Sequence, residues 1–285
     1  AGGLNRYGIV PFRLPLQISD WEVQQVASLN VDIRTNTRVG KDISVEEILE
    51  NYQAVIMAIG MSKVPGLGIA GEELAGVYDA IEFVRETKTK PITNQLVGKR
   101  VAVIGAGNTA IDAATSSVRL GAENVKILYR RTSEEMTAYQ FEYEFAKQDG
   151  VEFRWLTAPL RIVADEQEQV KGIECIKMEL AEPGEDGRRR PVQVQDSEFM
   201  QEVDVVIKAN GQSRYVDLIE KFDLEHLAGV VKINPTTYQT SNPKVFACGD
   251  VIFGKGKQGD AMVVSAVQQG KDSAYAIHQW LKFQA

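Results

Sequence analysis

The stretch that most restricts the fold runs from residue 100 to 129, RVAVI-GAGNTA-IDAATSSVRLG-AEN-VKILY. An apolar run at 100–104 leads straight into Gly105, Gly107 and Ala110, spaced as Gly-x-Gly-x-x-Ala. Glycines at that spacing allow a tight turn and close approach of backbone to a pyrophosphate, which then sits on a helix N-terminus. The pattern predicts a strand at 100–104, a helix over 108–120 closed by Gly121, and a second strand at 125–129. This is the strand–turn–helix–strand context the motif requires. A dinucleotide is therefore expected at Gly105, Gly107, Asn108 and Thr109.

The same glycine spacing occurs twice more. Gly66, Gly68 and Gly71 follow Pro65, with no strand leading in and no stable helix leading out. They read as a surface loop. Gly254, Gly256 and Gly259 precede a helix, but no second strand follows to complete a βαβ unit. They read as a loop feeding that helix.

The end of the second strand selects the nucleotide. NADH readers carry an acidic residue there, and NADPH readers carry arginine for the 2′-phosphate. Arg130 and Arg131 follow VKILY directly, which favours NADPH. Glu123 lies at the wrong end of the strand. Glu134 and Glu135 follow the arginines, so the alternative is an exposed basic pair neutralised by those two carboxylates.

Elsewhere strand and helix patterns alternate, which predicts an α/β fold with largely parallel sheets. Strands are expected at 31–39, 53–59, 153–156, 203–209 and 244–248. Helices are expected at 45–52, with Ser44 and Glu47 as a capping box, from Asp79 to about 87, at 139–148 and at 261–282. Residues 61–78 read as loop. Alternation at 160–164 and 170–181, then a polar stretch at 182–191, suggests antiparallel hairpins on the edge of the unit. The formal charge of −7 argues against nucleic acid or an anionic membrane as partner. No apolar run reaches membrane-spanning length. Cys175 and Cys248 form no metal or CxxC spacing, which fits a reducing, cytoplasmic setting. Both are expected to be packing residues, as are Trp155 and Trp280, and Arg188–Arg190 a solvated turn.

Taken in order, these motifs resemble the flavin-dependent NAD(P)H oxidoreductases that include the glutamate synthase small subunit and the electron-input part of dihydropyrimidine dehydrogenase. The residues concerned are Gly2-Gly3-Leu4, Tyr7-Gly8-Ile9, Phe12-Arg13-Leu14-Pro15, Ala58-Ile59-Gly60, GAGNTAID at 105–112, Tyr129-Arg130-Arg131, Ala209-Asn210-Gly211-Gln212 and Phe246-Ala247-Cys248-Gly249-Asp250. Asn210 stands where an apolar residue is usual. The resemblance implies two Rossmann-like units, an NADPH unit (82–210) inserted into an incomplete FAD-type unit (1–81 and 211–285). It places Gly3, Leu4, Gly249, Asp250 and Met262 toward FAD, and Gly211 and Gln212 at the return from the nucleotide unit. Asp112 either complements its helix dipole or faces the flavin side.

The resemblance also implies hydride transfer from NADPH to flavin, with electrons leaving through iron–sulfur clusters to a catalytic large subunit or domain. No acid–base residue is required for the transfer. The first FAD glycine fingerprint and the cluster-ligating cysteines are not in this sequence, and two cysteines cannot hold a four-iron cluster. The chain is accordingly expected to be a fragment that binds FAD weakly or not at all alone, with clusters lying only outside it. The rival readings are a non-catalytic nucleotide-binding module and a ferredoxin or quinone reductase of the same plan.

Overall fold

A computed structural model of the chain describes residues 1–61, 63–90, 96–184, 187, 189–254 and 261–283. It resolves two compact units, one of residues 1–31 and 63–211 and the other of residues 32–62 and 212–285. This division differs from the expected 1–81, 82–210 and 211–285. Residues 1–31 and 63–81 pack with the glycine-turn unit.

The first unit is built on a five-stranded parallel sheet. Its strand order is Val77–Asp79, Val205–Lys208, Arg100–Ile104, Asn124–Leu128 and Glu152–Arg154. The central strands are apolar on both sides, so both faces must be covered. Val101, Val103, Val125, Ile127, Val205 and Ile207 face one core, which the helices Ala80–Thr89, Asn108–Arg119 and Gln140–Gln148 enclose. Ala102, Ile104, Leu128 and Val206 face a second core.

That second core is closed by Ile162, Val170, Ile173 and Cys175. These belong to an antiparallel sheet of Thr157–Ala164, Val170–Pro183 and Arg189–Glu202. The hairpins expected on the edge of the unit therefore lie across its face, as a third layer. Their alternating apolar residues supply the cover that the second face of the parallel sheet needs. Of the expected Arg188–Arg190 turn, Arg188 lies outside the described residues. Arg189 donates to the carbonyls of Leu180 and Ala181 within the hairpin.

Local signals explain the helix boundaries. Asp79 caps Ala80–Thr89 by accepting from the amides of Ile81 and Glu82. Two N-terminal helices, Gly3–Tyr7 and Leu16–Ala27, precede this framework in the first unit.

The second unit contains a parallel pair, Val55–Met57 with Val245–Ala247, and a short antiparallel pair, His226–Leu227 with Val230–Val231. Its core joins Val45, Met57, Ile219, Phe222, Leu224, Val231, Val245 and Ala247. Ser44 caps the helix Val45–Asn51 through the Glu47 amide. The long helix Val263–Lys282 sets Trp280 edge-on to Phe246, with ring centroids 5.9 Å apart.

The strand expected at 31–39 does not form. The segment is irregular, with one turn at 35–36 and an isolated bridge from Val39 to Ile43, and Val31 and Ile33 are exposed. Its apolar alternation finds no neighbouring strand to pair with. The strand expected at 53–59 shortens to Val55–Met57, and the loop expected at 61–78 ends in the strand Val77–Asp79.

Candidate functional site

The turn after Arg100–Ile104 is held by main-chain bonds. The Gly105 amide donates to Leu128 O at 3.1 Å. Gly105 has φ +128°, and a Cβ there would lie 2.2 Å from Ala209 O. Only glycine fits both constraints. Gly107 is different, with φ −95° and extended backbone at the head of the helix Asn108–Arg119. A Cβ on Gly107 would meet only Thr137 Oγ1, at 3.3 Å.

No side chain caps this helix. The amides of Gly107, Asn108 and Thr109 have no acceptor among the described residues, so three donors stand together at the positive end of a helix dipole. The Asn108 side chain is turned away from them, its Oδ1 accepting from the Tyr139 amide at 3.1 Å. Ala106 O accepts from the amides of Thr137 and Ala138. The turn thus has a wall, residues 137–139.

The second strand, Asn124–Leu128, delivers Tyr129, Arg130 and Arg131 to the same end of the sheet. Arg130 is exposed and Arg131 half-buried. Neither makes an ion pair with a described residue, and the buried Nε of Arg131 has no hydrogen-bond partner among them. The two following glutamates do not neutralise the pair. Thr132 and Glu135 form a reciprocal capping box around a single helical turn, and Glu135 accepts from the Thr132 amide and hydroxyl. Hydrogen bonding from Thr132 holds the Glu135 carboxyl below its ordinary value, outweighing its desolvation. Tyr129 Oη donates to Glu135 O at 2.9 Å, and burial pushes its phenol up.

Asp112, expected to complement its helix dipole or to face the flavin side, forms an ion pair with a distant segment. It is buried and paired with Arg13 Nη1 at 2.9 Å, while Arg13 Nη2 reaches Glu142 at 2.6 Å. Burial raises both carboxyls, and Arg13 opposes that rise. Nothing in the sequence pattern joined these three residues.

The remaining expected residues divide between the units. Gly3 and Leu4 lie in the short helix Gly3–Tyr7 of the first unit, with Leu4 partly exposed. Gly211 ends the first unit, with φ +107° and open space where a side chain would project, and Gln212 begins the second. In the second unit Gly249 has φ +74° and donates to Gln269 Oε1 at 2.8 Å. Asp250 follows in the helical turn Gly249–Ile252, its carboxyl raised by burial against the pull of Arg214. Arg214 donates to the carbonyls of Asp250 and Phe253. Met262 is partly exposed at the head of Val263–Lys282.

The second glycine match also takes on a definite structure. In GLGIAG the amides of Leu67, Gly68 and Ile69 all donate to the Glu72 carboxylate, which pairs with Lys208 at 3.1 Å. A Cβ on Gly71 would lie 2.3 Å from Ile162 O. The segment is a surface loop, as expected, with Gly66, Gly68 and Ala70 exposed, and its converging amides are already satisfied by Glu72. Of the third match, Gly256 and Gly259 lie outside the described residues.

The geometry agrees with what the chain resembles. Residues 22–270 match the family model described as pyridine nucleotide-disulphide oxidoreductase. The chain belongs to that family. It is 37% identical, over 99% of its length, to the NADP(+)-dependent formate dehydrogenase subunit beta of Moorella thermoacetica, and covers 39% of that protein. It is 33% identical, over 99% of its length, to the glutamate synthase [NADPH] small chain of Escherichia coli, and covers 61% of that protein. Among solved structures, FprA of Mycobacterium tuberculosis in complex with NADPH superposes with a TM-score of 0.74 at 21% identity, over 98% of this chain and 75% of FprA. That likeness speaks for the α/β fold.

The pyridine nucleotide-disulphide oxidoreductase match spans the Gly105 turn, Arg130 and Arg131, and Gly249-Asp250. Cys175 and Cys248 are both buried and free. Among the described residues no group of histidine, cysteine and carboxylate side chains could hold a metal, and no helix is long and apolar enough to cross a membrane.

Proposed function

We propose that this chain is the hydride-input part of an NADPH-dependent flavin oxidoreductase within a larger electron-transfer protein. The observation that carries the reading is that Arg130 and Arg131, at the end of the second strand, form no ion pair among the described residues, and lie beside three amides of the Gly105–Thr109 turn that have no acceptor among them. Together they offer a guanidinium pair to a 2′-phosphate and a helix N-terminus to a pyrophosphate. The glycine cradle leaves backbone, not side chain, against the ligand.

In this reading Gly105, Gly107, Asn108 and Thr109 hold the pyrophosphate, and Gly211 with Gln212 border the nicotinamide end. Within the second unit, Gly249, Asp250 and Met262 contribute to a flavin site. The positive φ of Gly249 and the half-buried carboxyl of Asp250 suit a hydroxyl-rich chain, for which a raised carboxyl is a good hydrogen-bonding partner. When bound, the nicotinamide and flavin supply the hydride chemistry, and the chain's residues bind, orient and exclude water.

Relatives named as subunits of formate dehydrogenase and glutamate synthase support an electron-transfer role. We extend this to an iron–sulfur partner and a catalytic large subunit or domain of the glutamate synthase or dihydropyrimidine dehydrogenase type. The chain spans less than half the length of the formate dehydrogenase relative. Calorimetric titration with NADPH and NADH tests the reading. A clear preference for NADPH is expected, and equal affinities would overturn it.

A further inference from the structure

We infer that Arg13 is a positioning residue for the dinucleotide turn, acting through Asp112 and Glu142 without touching the nucleotide. The inference rests on the reading of Gly105–Thr109 as a dinucleotide site. Arg13 lies 99 residues upstream of Asp112, yet its guanidinium bridges two helices. Nη1 meets Asp112 Oδ1 at 2.9 Å on the helix Asn108–Arg119. Nη2 meets Glu142 Oε1 at 2.6 Å on the helix Gln140–Gln148. The two carboxylate side chains are 10% and 6% exposed.

Each carboxylate sits one turn beyond a residue that builds the nucleotide turn. Asp112 is four residues after Asn108, and Glu142 is three after Tyr139. Asn108 Oδ1 accepts from the Tyr139 amide at 3.1 Å, and Ala106 O accepts from Thr137 at 3.3 Å and from Ala138 at 3.1 Å. Arg13 therefore closes a ring: Asn108, Asp112, Arg13, Glu142, Tyr139 and back to Asn108. Phe12 fixes the same segment from the next position, with Arg119 of the first helix 3.8 Å over its ring and Phe145 of the second 6.5 Å away.

Without the guanidinium, two buried carboxylates repel, and the helices are left with their shared apolar core, Arg119 over Phe145 and the Asn108–Tyr139 bond to hold them. The wall at 137–139 keeps its direct bonds to Ala106 O and Asn108 Oδ1 but loses the brace behind them, and is held to the turn less firmly. A ligand spanning turn and wall loses affinity, whereas one held only at Arg130 and Arg131 does not.

The test uses the full chain, wild type and two variants, Arg13→Met and the triple Arg13→Met/Asp112→Asn/Glu142→Gln. The triple variant removes the uncompensated charge, so that it folds where the single variant fails. The probes are NADP⁺, which reaches the turn, and adenosine 2′-monophosphate, which reaches only the arginines. In the folded triple variant NADP⁺ affinity is expected to fall about tenfold, as when support behind a binding group is removed. Adenosine 2′-monophosphate affinity is expected to stay within about twofold. Hydrogen exchange at the Thr137, Ala138 and Tyr139 amides of the ligand-free triple variant should quicken. Unchanged NADP⁺ affinity and unchanged exchange would overturn the inference while leaving the nucleotide reading intact, and so would a parallel loss of both probes. A wild-type chain that binds neither probe would overturn both.

Discussion

The Glu135 carboxylate folds back onto Thr132, accepting from its hydroxyl at 2.5 Å and its amide at 3.1 Å. That bond commits the Glu135 carboxylate to Thr132, and among the described residues no ion pair joins Glu134 or Glu135 to Arg130 or Arg131. A glutamate committed to a capping box is a poor counter-ion, so the arginines are left for a dianionic ligand.

Replacing both arginines by alanine should therefore remove the preference for NADPH over NADH. The expected loss in NADPH binding is about 1.5–3 kcal/mol, the range for a hydrogen bond to a charged group. NADH binding should change little. Titration of wild type and double variant with both nucleotides checks this, and a preference that survives the substitution would count against the assignment. Thr132→Val should give a smaller loss in the same direction, because it frees Glu135 to compete.

The two glycines of the turn should respond differently to substitution. Gly105→Ala forces a side chain onto a φ of +128° and against Ala209 O at 2.2 Å. A cost of about 3 kcal/mol or more, visible as a lowered Tm, is expected from backbone strain and overpacking together. Gly107→Val has an ordinary φ and one tight neighbour, Thr137 Oγ1. It should fold, with a Tm near wild type, and lose nucleotide binding. Thermal melts and titrations on both variants separate the two roles.

Glu72 should stabilise the fold in a pH-dependent way. Burial pushes its carboxyl up, but the amides of Leu67, Ile69 and Gly68, together with Lys208, outweigh this and hold it at about 2, against an ordinary 4.5. A depressed carboxyl stabilises the folded chain above its unfolded pKa and loses that stabilisation as pH falls through its folded pKa. The contribution is therefore full above pH 4.5 and fades toward pH 2. Glu72→Gln should cost about 3 kcal/mol at neutral pH, since a tenfold change in proton affinity corresponds to about 1.4 kcal/mol. The gap between variant and wild type should narrow in acid. Denaturant melts at pH 7 and pH 3 would show it, and an equal gap at both would refute the account.

Neither cysteine should behave as a redox thiol. Burial raises both, Cys175 to about 12, so both are neutral thiols at physiological pH. A thiol reagent added to the folded chain should modify neither, and denaturant should expose two. Rapid labelling of the native protein would contradict this.

What could be read beforehand was local. The strand Arg100–Ile104 and the helix Asn108–Arg119 fall within one residue of expectation, because an apolar run, a glycine turn and a closing Gly121 are contiguous signals. What escaped depends on partners distant in sequence. The antiparallel layer shows its alternation but not which surface it covers. At 31–39 an alternating pattern exists without a strand to pair with. Arg13 carries no mark of its two carboxylates, which lie 99 and more residues away. The helix Leu16–Ala27 leaves Ile18, Trp21 and Val26 exposed, so its apolar face gave no expectation of a core.

The loop at 66–72 shows that a glycine fingerprint reports a backbone shape rather than a ligand. Leu67, Gly68 and Ile69 converge their amides as a phosphate cradle does, but the anion they hold is supplied by the protein's own Glu72, with Lys208 as its counter-ion. The loop is a receptor already occupied by a tethered guest. Shortening that guest to glycine would convert an architectural joint into a vacant anion hole with a lysine at its mouth, one deletion of a side chain away from acquiring a small inorganic oxyanion as a structural substitute.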